Sequence, residues 1–515
     1  MSILNKNWSA LSKPKTTLNY IHGQFKESKT KTYHQVRDPT IQSTDQLITS
    51  TPESTDAEFN EAIESSKDGY QFWKNTSLLS RQRVMLNFQQ EIRNNANDLA
   101  ITITQEQGKT FSDAHGDVFR GLQVVDYASS IPTTFMGKML EVSNNMDTFT
   151  RKFPLGVCAM IAPNNFPSMI PNWVISLAAV TGNSLILKPS ERDPTASLLL
   201  AELAQKSGLP PGVLNIINGT HPIVNHLTSH PDIKAVSFVG GDNAGKHVYK
   251  RATENGKRVQ VNMGAKNHGI ILPDANKDHA LNSIISAAFG AAGQRCMALS
   301  VAVLVGDARN WKNDLINKAK ALKVGNGFDQ SNDMGPVISK QSKQRIENLI
   351  NQSSKQGANI DLNGTNFEVK NYENGYFVGP TIISIPHTEF DIYKQEIFGP
   401  VLVILETETL DQAIDLINKN KYGNGASIFT ESGSAARFFE INAEPGQIGI
   451  NTPLPVPLPF FSWSGNKASF AGENSFYGEQ GINFFTQTKT VTSMWKPSDQ
   501  TTSLEKASLS MTYKF

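Results

Sequence analysis

The residue best suited to covalent chemistry is Cys296, in the stretch Phe289-Gly290-Ala291-Ala292-Gly293-Gln294-Arg295-Cys296-Met297. It is one of two cysteines in 515 residues, and Gln294 and Arg295 directly precede it. A thiol attacks as its thiolate, and neighbouring positive charge or helix-end amides lower a thiol pKa; a structural cysteine normally lies in an apolar run. Taken alone, the stretch favours a lone buried thiol, and other parts of the chain shift that balance. The second cysteine, Cys158, sits in Val157-Cys158-Ala159-Met160-Ile161 without a charged neighbour and reads as structural.

Further chemistry-bearing residues fall where elements end. Val157–Ile161 runs into Ala162-Pro163-Asn164-Asn165-Phe166-Pro167, Ser184-Leu185-Ile186-Leu187 into Lys188-Pro189-Ser190-Glu191-Arg192, and Ala235–Val239 into Gly240-Gly241-Asp242-Asn243-Ala244-Gly245. Apolar strands alternating with helical patterns imply an α/β chain with a parallel sheet covered on both faces, and ligands in such folds bind at the carboxyl ends of strands. The glycine loop is not G-x-G-x-x-G and by itself is weak support for a dinucleotide. Arg120 interrupts an apolar helical pattern over Asp117–Ala128; its ordinary role is a solvated or ion-paired side chain, its other role an anion binder.

The elements that must position these residues follow from length and pattern. A chain of 515 residues is too long for one core, so two or three domains are expected. A formal net charge of +1 gives no electrostatic reason for a nucleic-acid or membrane-surface partner, and no apolar run approaches the ~18 residues of a spanning helix, so a soluble protein is expected. Two cysteines make no disulfide framework, and no metal site is expected. Residues 1–26 contain lysines but no Asp or Glu, as in part of a mitochondrial presequence, although without its arginines. An ordinary polar tail is the alternative. Tyr20–Phe25 reads as strand and turn, Ser54 or Thr55 as the cap of a helix, and Arg81–Asn95 as another helix. Residues 138–153 and Ile482–Val491 read as β-rich arms able to pair between subunits.

In order and spacing, the Asn165-Phe166-Pro167 segment, Lys188-Pro189-Ser190-Glu191, the glycine loop, the cysteine stretch and Glu396-Ile397-Phe398-Gly399-Pro400 resemble the aldehyde dehydrogenase superfamily over about residues 20–496. Asn262–Gly269, Gly293–Leu299 and Glu473–Gly478 are similar to its CoA-acylating members acting on methylmalonate and malonate semialdehydes. The resemblance implies a Rossmann-type cofactor domain (20–137 and 154–270), an α/β catalytic domain (271–460), a small β oligomerisation arm (138–153 and 482–496) and tails at 1–19 and 497–515. It makes Cys296 the nucleophile and Asn165, with the Cys296 N–H, the oxyanion donors. Ala162, Asn164, Lys188, Glu191, Arg192, Gly241 and Glu396 match NAD-contacting positions. Asn164 stands where an aromatic residue is often found. Arg120 and Arg295 match arginines for a substrate carboxylate, a role that suits bidentate guanidinium groups. A homodimer or homotetramer and a mitochondrial location are implied as well.

Glu191 also has a direct reading: a carboxylate accepts hydrogen bonds from ribose hydroxyls and repels a 2′-phosphate, which favours NAD over NADP. The most informative departure is Val261-Asn262-Met263-Gly264-Ala265-Lys266, because hydrolytic members carry a glutamate base at the position of Asn262. Asparagine takes no proton at neutral pH, so a thioester on Cys296 should outlast water and react with a thiol, coenzyme A. A β-carboxylate would then leave as CO₂. The alternatives are another carboxylate acting as base in a broader hydrolytic enzyme, and a catalytically idle dinucleotide-binding protein.

Overall fold

Five parallel strands, Val157–Ile161, Ser184–Lys188, Leu214–Ile216, Ile233–Gly240 and Arg258–Met263, form the centre of an eight-stranded sheet in a computed structural model describing residues 16–41 and 47–495. The expected N-terminal segment therefore lies outside the described residues as far as residue 15, and the 497–515 tail lies outside them entirely. Across the sheet the order is 214–216, 184–188, 157–161, 233–240, 258–263. Successive strands step outward in one direction from Val157–Ile161 and then in the other, which opens a crevice at the carboxyl ends there. Val157–Ile161 and Ser184–Lys188 are buried at every position, as both-face coverage by helices requires. Cys158 is one of these core residues. The edges are antiparallel: Asn19–Ile21 with Gln24–Lys26 on one side, and Phe470–Gly472 against Arg258–Met263 on the other.

A second sheet has seven strands. Thr381–Ser384, Val401–Thr407, Leu299–Val305, Asn267–Ile271, Gly425–Phe429 and Gln447–Ile450 run parallel, with Asn359–Leu362 antiparallel at one edge. It has its own apolar core, from Ile270 and Leu281 to Phe439. The boundary expected at residue 270 falls inside Asn267–Ile271, since the chain changes sheets between Met263 and Asn267.

Local chemistry accounts for the helices that matter to the site. Thr55 caps Asp56–Trp73 in a capping box with Glu58, an arrangement whose loss costs about 0.5–2 kcal/mol. The Arg81–Asn95 expectation corresponds to Leu78–Asn94, capped by Ser77. The helix carrying Arg120 is longer than its apolar pattern suggested, Phe111–Ser129, because Thr110 caps it about two turns before Asp117.

The β-rich segments behave differently from a pair of separate arms. Met146–Pro154 pairs antiparallel with Thr486–Met494 along its whole length, and Met139–Ser143 completes a three-stranded sheet within the one chain. Residues 482–484, expected to be β, end the helix Gly478–Phe484 instead. Among the described residues no helix is long and apolar enough to cross a membrane, and no group of three or more His, Cys, Asp or Glu is arranged to hold a metal ion.

Candidate active site

Cys296 is reached through the helix Lys277–Phe289 and a short left-handed run. Ala291 and Ala292 have φ of 51° and 54°, and Gly293 has φ of 68°. Non-glycine residues in this region each cost on the order of 1–2 kcal/mol, so surrounding contacts must hold the loop. At Gly293 a Cβ would lie 2.1 Å from the carbonyl oxygen of Gly399, so only glycine lets the cysteine loop approach the Glu396–Pro400 loop. The Gln294 Oε1 accepts the Ile338 N–H at 3.0 Å. Beyond the turn, the side-chain amides of Asn267 and Asn424 donate to the Cys296 carbonyl at 2.8 and 3.0 Å. The backbone of Cys296 is thus held from the starts of two adjacent strands of the second sheet, Asn267–Ile271 and Gly425–Phe429.

Cys296 is half-buried and stands between two cavities. The first, of about 430 Å³, is the crevice of the parallel sheet, lined by Ala162, Asn164, Asn165, Lys188, Glu191, Gly241, Asn262 and Glu396, among others. The second, of about 230 Å³, is lined by Arg120, Arg295, Asp113, Phe166, Met297 and Trp463. Every expected residue except Arg192 therefore lines one cavity or the other. Arg192 lies outside the lining, its Nε 3.9 Å from the Glu191 carboxylate.

The first cavity has the donors and acceptors of a dinucleotide site. Lys188 Nζ is buried, donates to the carbonyls of Pro189 and Gly219 at 2.8 and 2.7 Å, and lies 3.5 Å from Glu191. The helix Asp242–Glu254 begins at Gly241 with no side-chain cap, and a Cβ on Gly241 would meet nothing within 4 Å. Its first N–H groups are left for an anion that approaches closely. Glu396 accepts the Ala265 N–H at 3.0 Å. Arg345, which no sequence signal marked, donates to the carbonyls of Glu396 and Ile397 and so fixes the glutamate's loop.

The electrostatics reverse one sequence expectation. Burial pushes the Cys296 thiol up to about 12, and the Glu396 carboxylate adds to the effect. The N–H groups of Cys296 and Met297 and the Arg295 guanidinium pull the other way without prevailing. Cys296 is therefore a neutral thiol at neutral pH, not one activated by its positive neighbour. Burial also pushes Glu396 up to about 7, against the pull of the Ala265 N–H, Lys266 and Arg345.

In the second cavity the two arginines are not equivalent. Arg295 is already paired, its Nη2 2.5 Å from Asp113 Oδ1. Arg120 is exposed, and its Nη1 donates to the neutral carboxamide of Gln123 at 3.1 Å. Behind them Lys109 Nζ, fully buried, donates to the Asn165 carbonyl at 2.5 Å and to Asp117 at 3.2 Å. Asp117 in turn accepts the Met169 N–H at 2.7 Å. This buried pair anchors the Asn165 loop; removing one partner strands the other charge, at a cost of about 3–5 kcal/mol. Asp113, Lys109 and Asp117 were not singled out in the sequence for the chamber. For the two aspartates, helical spacing with Arg120 was the available signal, since residues 113, 117 and 120 lie on one helix face, whereas Lys109 precedes the helix.

A doubly wound sheet with a strand-end crevice lined by Cys296 and Asn165 has the architecture of a dinucleotide-binding enzyme. The sequence profile of the aldehyde dehydrogenase family matches residues 25–491, and this chain belongs to that family. It is 53% identical over 94% of its length to the acylating, mitochondrial methylmalonate-semialdehyde dehydrogenase of Arabidopsis thaliana, covering 79% of that protein. It is 52% identical over 96% of its length to the acylating, mitochondrial methylmalonate-semialdehyde/malonate-semialdehyde dehydrogenase of Mus musculus, covering 92% of it. A Sinorhizobium meliloti 1021 protein solved in complex with NAD superposes with a TM-score of 0.91 at 40% identity, over 94% of this chain and 98% of that one.

Proposed function

We propose that this protein is an NAD-dependent, CoA-acylating dehydrogenase that converts methylmalonate and malonate semialdehydes to propionyl-CoA and acetyl-CoA with release of CO₂. The observation that carries the acylating part is Asn262. It lines the same cavity as Cys296 at the end of Arg258–Met263, and its amide faces the Asn424 side-chain oxygen at 3.4 Å. No proton acceptor for water stands at that position.

The Cys296 thiol loses its proton to solvent, Sγ bonds to the aldehyde carbon as the carbonyl π pair moves onto oxygen, and the oxyanion is held by the Asn165 side-chain amide and the Cys296 N–H. Lys109, through the Asn165 carbonyl, keeps that donor in place. When bound, NAD supplies the hydride acceptor and a positive ring that favours the thiolate. Glu191 and Lys188 fit its ribose, Ala162, Asn164 and Gly241 its remaining contacts, and Glu396 the nicotinamide ribose, whereas Arg192, outside the lining, reaches it only beside Glu191. Arg120 and Arg295 face the substrate carboxylate from the other side of the thiol. The resulting thioester meets no general base at Asn262, so coenzyme A, whose thiol exchanges with a thioester without that base, takes the acyl group. In the second cavity a carboxylate acting as base is disfavoured, because Asp113 holds Arg295 and Asp117 holds Lys109. In the first, Glu191 lies 3.5 Å from Lys188, and Glu396 gives one oxygen to the Ala265 N–H.

The acylating, mitochondrial relatives support a mitochondrial setting. A homodimer or homotetramer built through the arm is part of the same proposal; Met139, Leu140 and Val142 leave an exposed apolar strand there. Light scattering that gave a monomer would remove that part. The central test is NADH formation from malonate semialdehyde with and without coenzyme A. Turnover should depend on coenzyme A and yield acetyl-CoA, and equal rates with free acid as product would sink the acylating assignment.

A further inference from the structure

Asp113 is the carboxylate on which the cysteine loop and the carboxylate site converge. It stands in the first turn of Phe111–Ser129, where the helix dipole favours negative charge. One oxygen receives Arg295 Nη2 at 2.5 Å, and the other accepts the N–H of Ala291, the first residue of the left-handed run, at 2.9 Å. The Arg295 guanidinium also lies against Gly290, where a Cβ would come within 2.5 Å of its nitrogens, so the glycine makes room for the arginine beside Asp113.

A substrate carboxylate entering the chamber therefore meets an exposed guanidinium at Arg120 and an ion pair at Arg295 whose charge Asp113 offsets. Two residues of the same helix, seven positions apart and so about 10 Å along its axis, present opposite charges to the one cavity. We propose that Asp113 is a positioning residue that sets the strength of the carboxylate site: it holds Arg295 and offsets its charge, so that Arg120 provides the main grip and the carboxylate remains free to depart. This rests on the decarboxylating reading given above. In that step the bond from the α-carbon to the carboxylate breaks, and its electron pair enters the thioester carbonyl as an enolate. The α-carbon then takes a proton from solvent, and CO₂ leaves uncharged. Stabilisation of the carboxylate that CO₂ cannot retain raises the barrier. Two unopposed guanidinium groups would bind the substrate tightly and hold it back.

Asp113→Asn keeps an acceptor for the Ala291 N–H and removes the charge. Expected is a KM for malonate semialdehyde about tenfold lower, an unchanged KM for propanal, and single-turnover CO₂ release that falls about tenfold behind NADH formation. A role confined to tethering the loop would shift both aldehydes alike and leave the ratio of CO₂ to NADH unchanged, and that result overturns the proposal. Arg295→Gln, which exposes the Asp113 charge, should raise the KM for malonate semialdehyde alone, and the double variant should return towards the wild type. Simply additive effects would count against the coupling. Calorimetric titration with malonate gives a readout independent of turnover: about tenfold tighter binding to Asp113→Asn is expected, and equal affinity overturns the assignment. Wild-type enzyme that releases no CO₂ from malonate semialdehyde would instead overturn the decarboxylating reading, while the malonate titration still decides the role of Asp113.

Discussion

The two cavities that meet at Cys296 are built on different principles. The cofactor-side crevice is made of strand ends, carbonyls and glycine: Lys188 is tied to two backbone oxygens, Gly241 leaves a helix terminus bare, and Ala162 closes a buried strand. The chamber on the other side is made of long side chains from a helix, a strained loop and the Leu454–Trp463 segment, held by the Asp113–Arg295 and Lys109–Asp117 ion pairs. The first construction follows from the topology of the sheet. The second depends on individual charges, and it is where the proposed contacts to the substrate carboxylate lie.

Substitutions should separate the two sides in order of severity. Cys296→Ala, at their junction, should reduce NADH formation by on the order of 10⁴-fold or more while leaving NAD affinity intact by calorimetry; retained turnover would remove the cysteine from its role. Arg120→Ala should affect only the chamber. The KM for malonate semialdehyde should rise about ten- to hundredfold, the worth of a charge-assisted pair, with propanal unaffected, and equal losses for both would erase the distinction between the cavities.

Glu396→Gln tests the link between the two sides through the thiol. In the cofactor-free enzyme, alkylation of Cys296 by iodoacetamide should accelerate with rising pH and show no plateau below about 9, since burial holds the thiol near 12. Removing the Glu396 charge lowers that value, so alkylation should become severalfold faster above about pH 7, where Glu396 is ionised, and change little below it. No change would show that burial alone sets the thiol's reactivity. The smallest effect is expected at Gly116, which lines the chamber one turn after Asp113 and one before Arg120, with nothing within 4 Å of a Cβ there. Gly116→Ala should stabilise the helix by about 0.5–1 kcal/mol, read as a higher Tm. It should also lower kcat/KM for methylmalonate semialdehyde severalfold more than for malonate semialdehyde, because the extra methyl competes for the same space. A uniform response would mean that the glycine leaves no room the substrate uses.

Much of this was legible in the chain. Apolar runs such as Val157–Ile161, ending in Asn-Phe-Pro or Lys-Pro-Ser-Glu, mark buried parallel strands and the crevice at their ends, because a strand covered on both faces has no polar alternation. Cys296, Asn165, Glu396 and the asparagine at 262 were identifiable by residue type and motif order. The arm was less legible. Residues 138–153 and 482–496 were recognisable as β-rich, but their mutual pairing joins positions more than 300 residues apart, and nothing local encodes such a register.

By itself, then, the sequence determined the sheet, the thiol at 296 and the absence of a carboxylate at 262, each a matter of local pattern or side-chain chemistry. Only the tertiary structure decided how charge is distributed around them. Arg295 and Asp113 are 182 residues apart, yet their contact turns an expected free arginine into half of an ion pair. The same packing sets the thiol's resting state. Positive charge next to Cys296 in sequence predicts a lowered pKa, but the desolvation that raises it comes from burial between two sheets, and no stretch of residues read alone specifies that burial.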